Sequence, residues 1–235
     1  MMHWFCAPFR SDFVMICDAD VLFVRPIDDV LERVATAEGV GGSMAHVSPF
    51  VQPFSDVPEG SHAGWWRRIF EAYDLELPPL EHEHSGFGTL YDEPDARFSP
   101  AYFNSGVVIG TRSAMTRLAW HAFPATEAVR SVHNVVYCDQ LALSLMMYAA
   151  QVPILVLPVR FNCPNDPVME KHLPDDYRDI RILHYLRQDV VDRRTAFVSQ
   201  DSLRSLLGRT DLAGVNELLR TRLAEILAPI AFTSS

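Results

Sequence analysis

Short apolar runs of strand length alternate along this chain with segments of helical periodicity. The clearest runs are FVMICDADVLFV (13–24), AYFNSGVVIG (101–110), VPILVLPV (152–159) and IRILHYL (180–186), and SMAHV (43–47) is a further candidate strand. Apolar runs of this length, bounded by turn residues, are typical of buried strands. Strands that alternate with helices predict an α/β layered fold with a mainly parallel, mixed sheet flanked by helices.

The segments between and after these strands have helical periodicity and are predicted to be helices. They are 26–37, opened by Pro26 and closed by glycines; 61–75, capped by Ser61; 113–132; 137–150; and the leucine-rich tail from 202 to 230. Residues 76–100 show no period, and such a long loop in a compact domain is often a lid or binding loop. We expect one domain over 1–200 and a C-terminal helical extension over 201–235 that packs on the same domain.

Two carboxylates interrupt the first apolar run, at Asp18 and Asp20. Aspartate is depleted in strands, and a buried charge is costly unless it is paired or binds a metal. Residues two apart in a strand face the same side, and ligands of open α/β sheets collect at the carboxyl ends of strands. The pair therefore suits Mg²⁺ or Mn²⁺. A solvated loop acid beside a helix-capping acid is the alternative.

Composition narrows the class of protein. The 235 residues carry a formal net charge of −10, which argues against a nucleic-acid footprint but leaves room for an anionic ligand held by a cation. The most apolar internal run is broken by Pro153 and Pro158, and no transmembrane or signal segment is predicted. Four scattered cysteines form no CxxC pair. A cytoplasmic protein is expected, and the oligomeric state stays open.

Five motifs occur in a fixed order: MICDADVLF, YFNSGVVIG, YCDQLALSL, LPVRFNCP and ILHYL. Together they resemble the GT-A glycosyltransferases, and most closely the family-8-like group of glycogenin-type and bacterial galactosyl- and glucosyltransferases. The resemblance covers roughly residues 13–187. It implies metal-dependent transfer of a hexose from a nucleotide-sugar donor, here a UDP-sugar, to a hydroxyl of a saccharide-type acceptor, with retention of configuration.

The resemblance also implies roles for particular residues. Asp18, Asp20 and His184 would hold Mn²⁺ or Mg²⁺, because DADVLF matches the family's DxD motif and ILHY matches the histidine that completes its metal site. Further positions fall in two groups. Those that would contact the sugar and the acceptor are Asn104, Asp139 and Gln140, and those on the donor side are Arg10, Ala19 and Arg187.

The sequence departs from the family pattern in two places. The family's glycine, lysine and Pro-Trp pair after the histidine are absent, and Arg187, or else Arg193 or Arg194, would replace the phosphate-binding lysine. Only 17 residues precede Asp18, whereas one βαβ unit takes roughly 30 residues or more. Relative to the family, we therefore expect an N-terminally incomplete chain that binds nucleotide weakly.

Three alternatives remain open at this point. A haloacid-dehalogenase-like phosphatase would use Asp18 as its nucleophile, with Lys171 and the acidic pair at 175–176 as later motifs, but Leu22 stands where that family has Thr or Val. A catalytically silent binding or scaffold protein could retain the transferase fold. Finally, His82 and His84 in EHEHSG could be metal ligands.

Overall fold

The computed structural model describes residues 9–51, 60–132, 137–186 and 190–231. The chain divides into two compact units. Unit 1 comprises Met1–Asp18 and Ile27–Val159, and unit 2 comprises Ala19–Pro26 and Arg160–Ser235. The division predicted at residue 200 stays a prediction.

Within the described residues, strands and helices alternate along the chain. The strands are β1 Phe13–Cys17, β2 Val21–Phe23, β3 Val40–Met44, β4 His82–Glu83, β5 Phe98–Ser99, β6 Phe103–Thr111, β7 Ile154–Leu157, β8 Cys163–Pro164 and β9 Ile182–His184. The helices are α1 Asp28–Ala37, α2 His62–Glu71, α3 Arg112–Ala119, α4 Ala122–Val132, α5 Cys138–Ala149, α6 Pro167–His172, α7 Pro174–Arg178, α8 Arg193–Ala196, α9 Gln200–Leu207 and α10 Gly214–Ala231.

Unit 1 contains a four-stranded sheet of order β1-β6-β3-β7. Strand β6 is antiparallel to both of its neighbours, and β3 is parallel to β7. The α/β fold with a mixed sheet and flanking helices is confirmed. The share of parallel pairings among the described strands is lower than expected, because the long strand β6 lies between β1 and β3 and runs opposite to both.

The core of unit 1 is formed by the inner faces of the helices packed with the sheet. On α2 the predicted apolar stripe is confirmed, since Trp66, Ile69 and Phe70 are buried. Ser61 caps this helix as predicted: its side-chain oxygen accepts a hydrogen bond from the Gly64 N–H at 3.1 Å, a contact worth about 1 kcal/mol. Helix α5 is buried along most of its length, from Leu141 to Met147.

The segment predicted as one helix over 113–132 forms two helices, α3 and α4. The break falls at Trp120 and His121. Pro124 explains it, because a proline ring clashes with the carbonyl four residues earlier, which here is that of Trp120. Pro124 instead lies in the first turn of α4, where its missing N–H costs little.

Of the three glycines expected to end the first helix, Gly41 and Gly42 belong instead to strand β3, whereas Gly39 does follow the helix end, and its N–H donates to the carbonyl of Val34 at 3.2 Å. Helix α1 ends at Glu38, which adopts the left-handed conformation at φ 50° without being glycine. Strand β3 then covers Val40–Met44, three residues earlier than predicted. Glycine is needed there because a Cβ on residue 42 would lie 2.5 Å from Cδ2 of the buried Phe103 ring.

Unit 2 contains a three-stranded sheet of order β2-β9-β8. Strand β9 is antiparallel to β2 and parallel to β8. The last helix, α10, joins this unit through the Val215 N–H, which donates to Oε2 of Glu170 at 3.1 Å, and through Asn216, which accepts from Nδ2 of Asn165 at 3.0 Å. Within the part of the chain described, no helix is both long and apolar enough to span a bilayer.

We expect Gly42→Ala to destabilise the protein by about 1–3 kcal/mol, because the added methyl group overpacks a fully buried ring. The measurement is urea unfolding followed by circular dichroism. Gly208→Ala is the matched control, since its added Cβ would meet no atom closer than 3.4 Å. Equal midpoints for Gly42→Ala and the parent protein would contradict the close contact.

Candidate metal centre

Asp18 lies immediately after strand β1. Its backbone N–H donates to the carbonyl of Gly106 at 3.0 Å, which extends the pairing of β1 with β6 by one residue. The chain then turns through Ala19 and Asp20 into β2. The Asp18 side chain is exposed and the Asp20 side chain is half-buried, so the two acids sit at different depths although only one residue separates them.

Asp20 is brought to His184 by the antiparallel pairing of β2 with β9. Val21 is the register partner of His184, and the Tyr185 N–H donates to the carbonyl of Asp20 at 3.0 Å. As a result, Oδ1 of Asp20 lies 3.2 Å from Nε2 of His184. The two side chains are 16% and 2% exposed, which places a carboxylate and an imidazole together in a largely desolvated position.

The other ring nitrogen of His184 contacts Asn162. The distance from Nδ1 to Oδ1 of Asn162 is 2.9 Å, and both residues are buried. Asn162 belongs to the LPVRFNCP motif, but the resemblance predicts no role for it. Its contact depends on the parallel pairing of β8 with β9, which the sequence pattern does not reveal.

Asp18, Asp20 and His184 meet the requirement for a cation site. Each offers one ligand atom, and the three atoms lie within 4.8 Å of one another. Two carboxylate oxygens and an imidazole nitrogen are donors suited to Mn²⁺, and the oxygens also suit Mg²⁺. The donor set predicted from the sequence is therefore brought together, and it fits a divalent cation.

The predicted donor-side residues have different surroundings. The Ala19 carbonyl accepts a hydrogen bond from the Tyr185 hydroxyl at 3.3 Å, so it belongs to the turn that carries Asp20. Arg10 is exposed, and its carbonyl accepts from Nη1 of Arg112 at 3.3 Å. Arg187 lies outside the described residues.

The residues predicted to contact sugar and acceptor lie in unit 1. Asn104 is half-buried near the start of β6, and its Oδ1 accepts from the Gly106 N–H at 2.9 Å. Asp139 and Gln140 are half-buried in the first turn of α5. The Ser105 hydroxyl donates to Oδ2 of Asp139 at 3.5 Å, which links β6 to the start of this helix.

The acidic pair of the phosphatase alternative is engaged in ion pairs. Asp176 pairs with Arg160 at 3.1 Å, and Asp175 pairs with Arg178 at 2.9 Å. Both lie in the first turn of the short helix α7, where a negative charge interacts favourably with the helix dipole. The Asp175–Arg178 pair is exposed and the Asp176–Arg160 pair is partly buried, and the phosphatase alternative stays open.

The two histidines of the alternative metal pair, His82 and His84, have different surroundings. His82 is partly exposed, whereas His84 is buried and its Nδ1 lies 3.1 Å from the carbonyl of Ala45. Within the described residues, the Asp18, Asp20 and His184 group is the one cluster whose ligand atoms converge.

His84 is instead one of several buried histidines in unit 1. Burial lowers the pKa of His62 to about 4 and that of His84 to about 3, since charging either ring in an apolar setting is costly. Asp95 partly offsets this effect on the pKa of His62, while neighbouring His62 and His46 add to it for His84. Nε2 of the His62 ring lies 2.8 Å from Oγ of Ser48 and accepts a hydrogen bond from the Trp66 indole N–H at 3.2 Å.

Among the solved structures similar to this chain are three glycosyltransferases. They are mouse xyloside xylosyltransferase 1 in its apo form (TM-score 0.42, 15% identity, 79% of this chain and 61% of that chain covered), the galactosyltransferase LgtC in complex with donor and acceptor sugar analogues (0.46, 16%, 90% and 66%), and the apo bifunctional glycosyltransferase WbbM (0.38, 12%, 75% and 29%).

This chain thus spans less than two thirds of the length of each of the three. No protein-family model and no curated protein sequence matches it. With TM-scores below 0.5, the function proposed below depends on this chain's own residues.

We expect Mn²⁺ at a hundred times its dissociation constant to raise the melting temperature by roughly 5–10 °C, since a ligand of the folded state stabilises it by mass action. Asp20→Asn and His184→Gln should lose most of this shift, because each removes one ligand of the cluster. Differential scanning fluorimetry with and without EDTA measures it. Asp28→Asn, at an exposed acid of α1, should keep the full shift, and an unchanged shift in Asp20→Asn would exclude the site.

We also expect acid sensitivity from the buried histidines. Below pH 6.5 His62 and His84 bind protons in the unfolded chain but stay neutral in the folded protein, because their pKa values are lowered there. The free energy of unfolding therefore decreases as the pH falls from 6.5 toward 4. The loss is about 1.4 kcal/mol per pH unit for each histidine.

His84→Gln should remove the contribution of one histidine to the pH dependence of the free energy of unfolding. Urea unfolding between pH 7 and pH 4.5 measures this. His172→Gln, at an exposed histidine, is the control and should leave the pH dependence as it is. An identical slope in the parent protein and His84→Gln would mean that His84 is charged in the folded state.

Proposed function

We propose that this chain is a metal-dependent glycosyltransferase domain of GT-A type. It transfers a hexose from a nucleotide-sugar, a UDP-sugar, to a hydroxyl of a saccharide-type acceptor. Retention of anomeric configuration is part of the proposal and rests on the family-8-like motifs alone.

One observation carries this proposal: the convergence of Asp18, Asp20 and His184. The two acids are 164 and more residues away from the histidine in sequence, so their meeting is a product of the fold and not of local composition. An acid pair at a strand end, completed by a histidine from a distant strand, is the metal-site arrangement that the DADVLF and ILHY motifs imply.

The roles proposed for the chain's residues follow from their chemistry. Asp18, Asp20 and His184 bind Mn²⁺ or Mg²⁺. When bound, the cation supplies positive charge that stabilises a leaving diphosphate. Arg10, Ala19 and Arg187 are proposed on the donor side, where an arginine offers paired N–H groups to phosphate oxygens and a backbone carbonyl accepts from a hydroxyl.

Asn104, Asp139 and Gln140 are proposed to bind the hydroxyl groups of sugar and acceptor. Amide and carboxylate side chains are suited to this because they donate to and accept from several hydroxyls at once. The contact between Ser105 and Asp139 brings the backbone that carries Asn104 next to the first turn of α5.

The test is nucleotide release. We expect the protein to release UDP or GDP from one member of a panel of UDP- and GDP-hexoses in the presence of Mn²⁺, and to stop when EDTA is added. Asp20→Asn should reduce the rate by more than about 10-fold, because even the loss of a partner that supports a metal ligand typically costs a factor of about 10–100. Asp28→Asn is the matched control and should retain the rate.

Two outcomes would replace this proposal. Turnover of a generic aryl phosphate without any nucleotide release would favour the phosphatase alternative. Saturable Mn²⁺ binding without nucleotide release from any donor would favour a catalytically silent binding protein. Loss of activity in Asp20→Asn together with loss of the folded circular dichroism spectrum would mean that the acid pair is structural.

A further inference from the structure

His184 lies on the middle strand of the sheet in unit 2 and is contacted from both neighbouring strands. On the β2 side, Asp20 lies 3.2 Å from Nε2. On the β8 side, Asn162, the residue immediately before that strand, lies 2.9 Å from Nδ1. A carboxylate oxygen therefore lies next to Nε2 and an amide oxygen next to Nδ1.

The contact with Asn162 determines which ring nitrogen of His184 carries the hydrogen. An amide oxygen is an acceptor only, so the contact with Asn162 requires a hydrogen on Nδ1. A neutral imidazole has one N–H, and a hydrogen on Nδ1 leaves the lone pair of Nε2 directed toward Asp20. This is the tautomer in which Nε2 can bind a cation beside a carboxylate.

The alternative tautomer places its hydrogen on Nε2, where the carboxylate of Asp20 would accept it. That tautomer blocks the cation. A cation at Nε2 makes the hydrogen on Nδ1 obligatory, and with His184 only 2% exposed bulk solvent is not available to accept it. Without the Asn162 oxygen this N–H would be buried and unsatisfied, which is costly, whereas a metal-free protein lacking Asn162 could avoid that cost by moving the hydrogen to Nε2.

We propose that Asn162 is a positioning residue that selects Nε2 of His184 as the metal ligand by accepting the hydrogen of Nδ1. This inference rests on the metal site of the proposed function. Asn162 does not touch the cation or a substrate; it acts through His184, and its contribution appears when the cation binds.

The backbone around Asn162 is rigid enough for this task. Cys163, the next residue, is in register with Leu183 in the parallel pairing of β8 with β9. The Arg181 N–H donates to the carbonyl of Arg160 at 2.9 Å, and the Asn165 N–H donates to the carbonyl of His184 at 3.3 Å. Asn162 is itself fully buried, so its amide cannot move away from the ring without loss of packing.

The experiment measures Mn²⁺ affinity by the disappearance of the free-ion signal in electron paramagnetic resonance. Asn162→Leu removes the acceptor at similar volume and should weaken Mn²⁺ binding by about 10–100-fold. Asn162→Asp keeps an acceptor at the same place and should bind Mn²⁺ as tightly as the parent protein or more tightly. Rescue by the conservative change separates the acceptor's role from packing.

A second readout reports the tautomer itself. In ¹⁵N-labelled protein saturated with Mg²⁺, the His184 ring should show a protonated Nδ1 in the parent protein and in Asn162→Asp. Asn216→Leu is the matched control, because Asn216 is also buried in unit 2 but bonds to Asn165 and not to His184. It should destabilise the protein yet leave Mn²⁺ affinity within about twofold.

Three outcomes of the Mn²⁺ measurements would overturn the positioning role of Asn162. Equal Mn²⁺ affinity in Asn162→Leu and the parent protein overturns the positioning role and leaves the metal site standing. Equal weakening in Asn162→Leu, Asn162→Asp and Asn216→Leu also overturns it, since the effect would then be general destabilisation. No saturable Mn²⁺ binding by the parent protein overturns both this inference and the metal-dependent function.

Discussion

The pairing of β9 with a strand on each side is the constraint on which the candidate site depends. The antiparallel neighbour delivers Asp20 and the parallel neighbour delivers Asn162 to the two nitrogens of one imidazole. A shift of either strand by one residue would turn the opposing side chain to the other face of the sheet. The short strands of unit 2 therefore fix both the position and the chemical state of His184.

The protein buries ionisable groups in two different ways. In unit 1, His62 and His84 are held in apolar surroundings among aromatic rings, and their lowered pKa values keep them neutral. Around β9 in unit 2, a carboxylate and an imidazole are buried side by side, and a cation would compensate the charge. A neutral ring needs no counter-charge, whereas the carboxylate beside His184 would gain stability from a bound cation, and this contrast distinguishes a structural histidine from a candidate ligand.

Part of the fold and of the candidate metal site could be predicted from the sequence, for identifiable reasons. Asp18 and Asp20 were visible because acids are out of place in an apolar run, and His184 because its surroundings match a known motif. Asn162 was not assigned, since its contact depends on which strands become neighbours. The strand at Gly42 was missed because glycine is typical of helix ends, and only the packing of Phe103 shows why it is needed. The helix break before Pro124 follows from a local rule that the predicted single helix overlooked.

The three candidate ligands form a gradient of depth, from the exposed Asp18 through Asp20, 16% exposed, to His184, 2% exposed. A hydrated ion arriving from solvent would exchange its waters in that order, first against the carboxylate at the surface and last against the imidazole. Metal exchange in such a site would be limited by the innermost bond, while the outermost ligand governs the rate of capture.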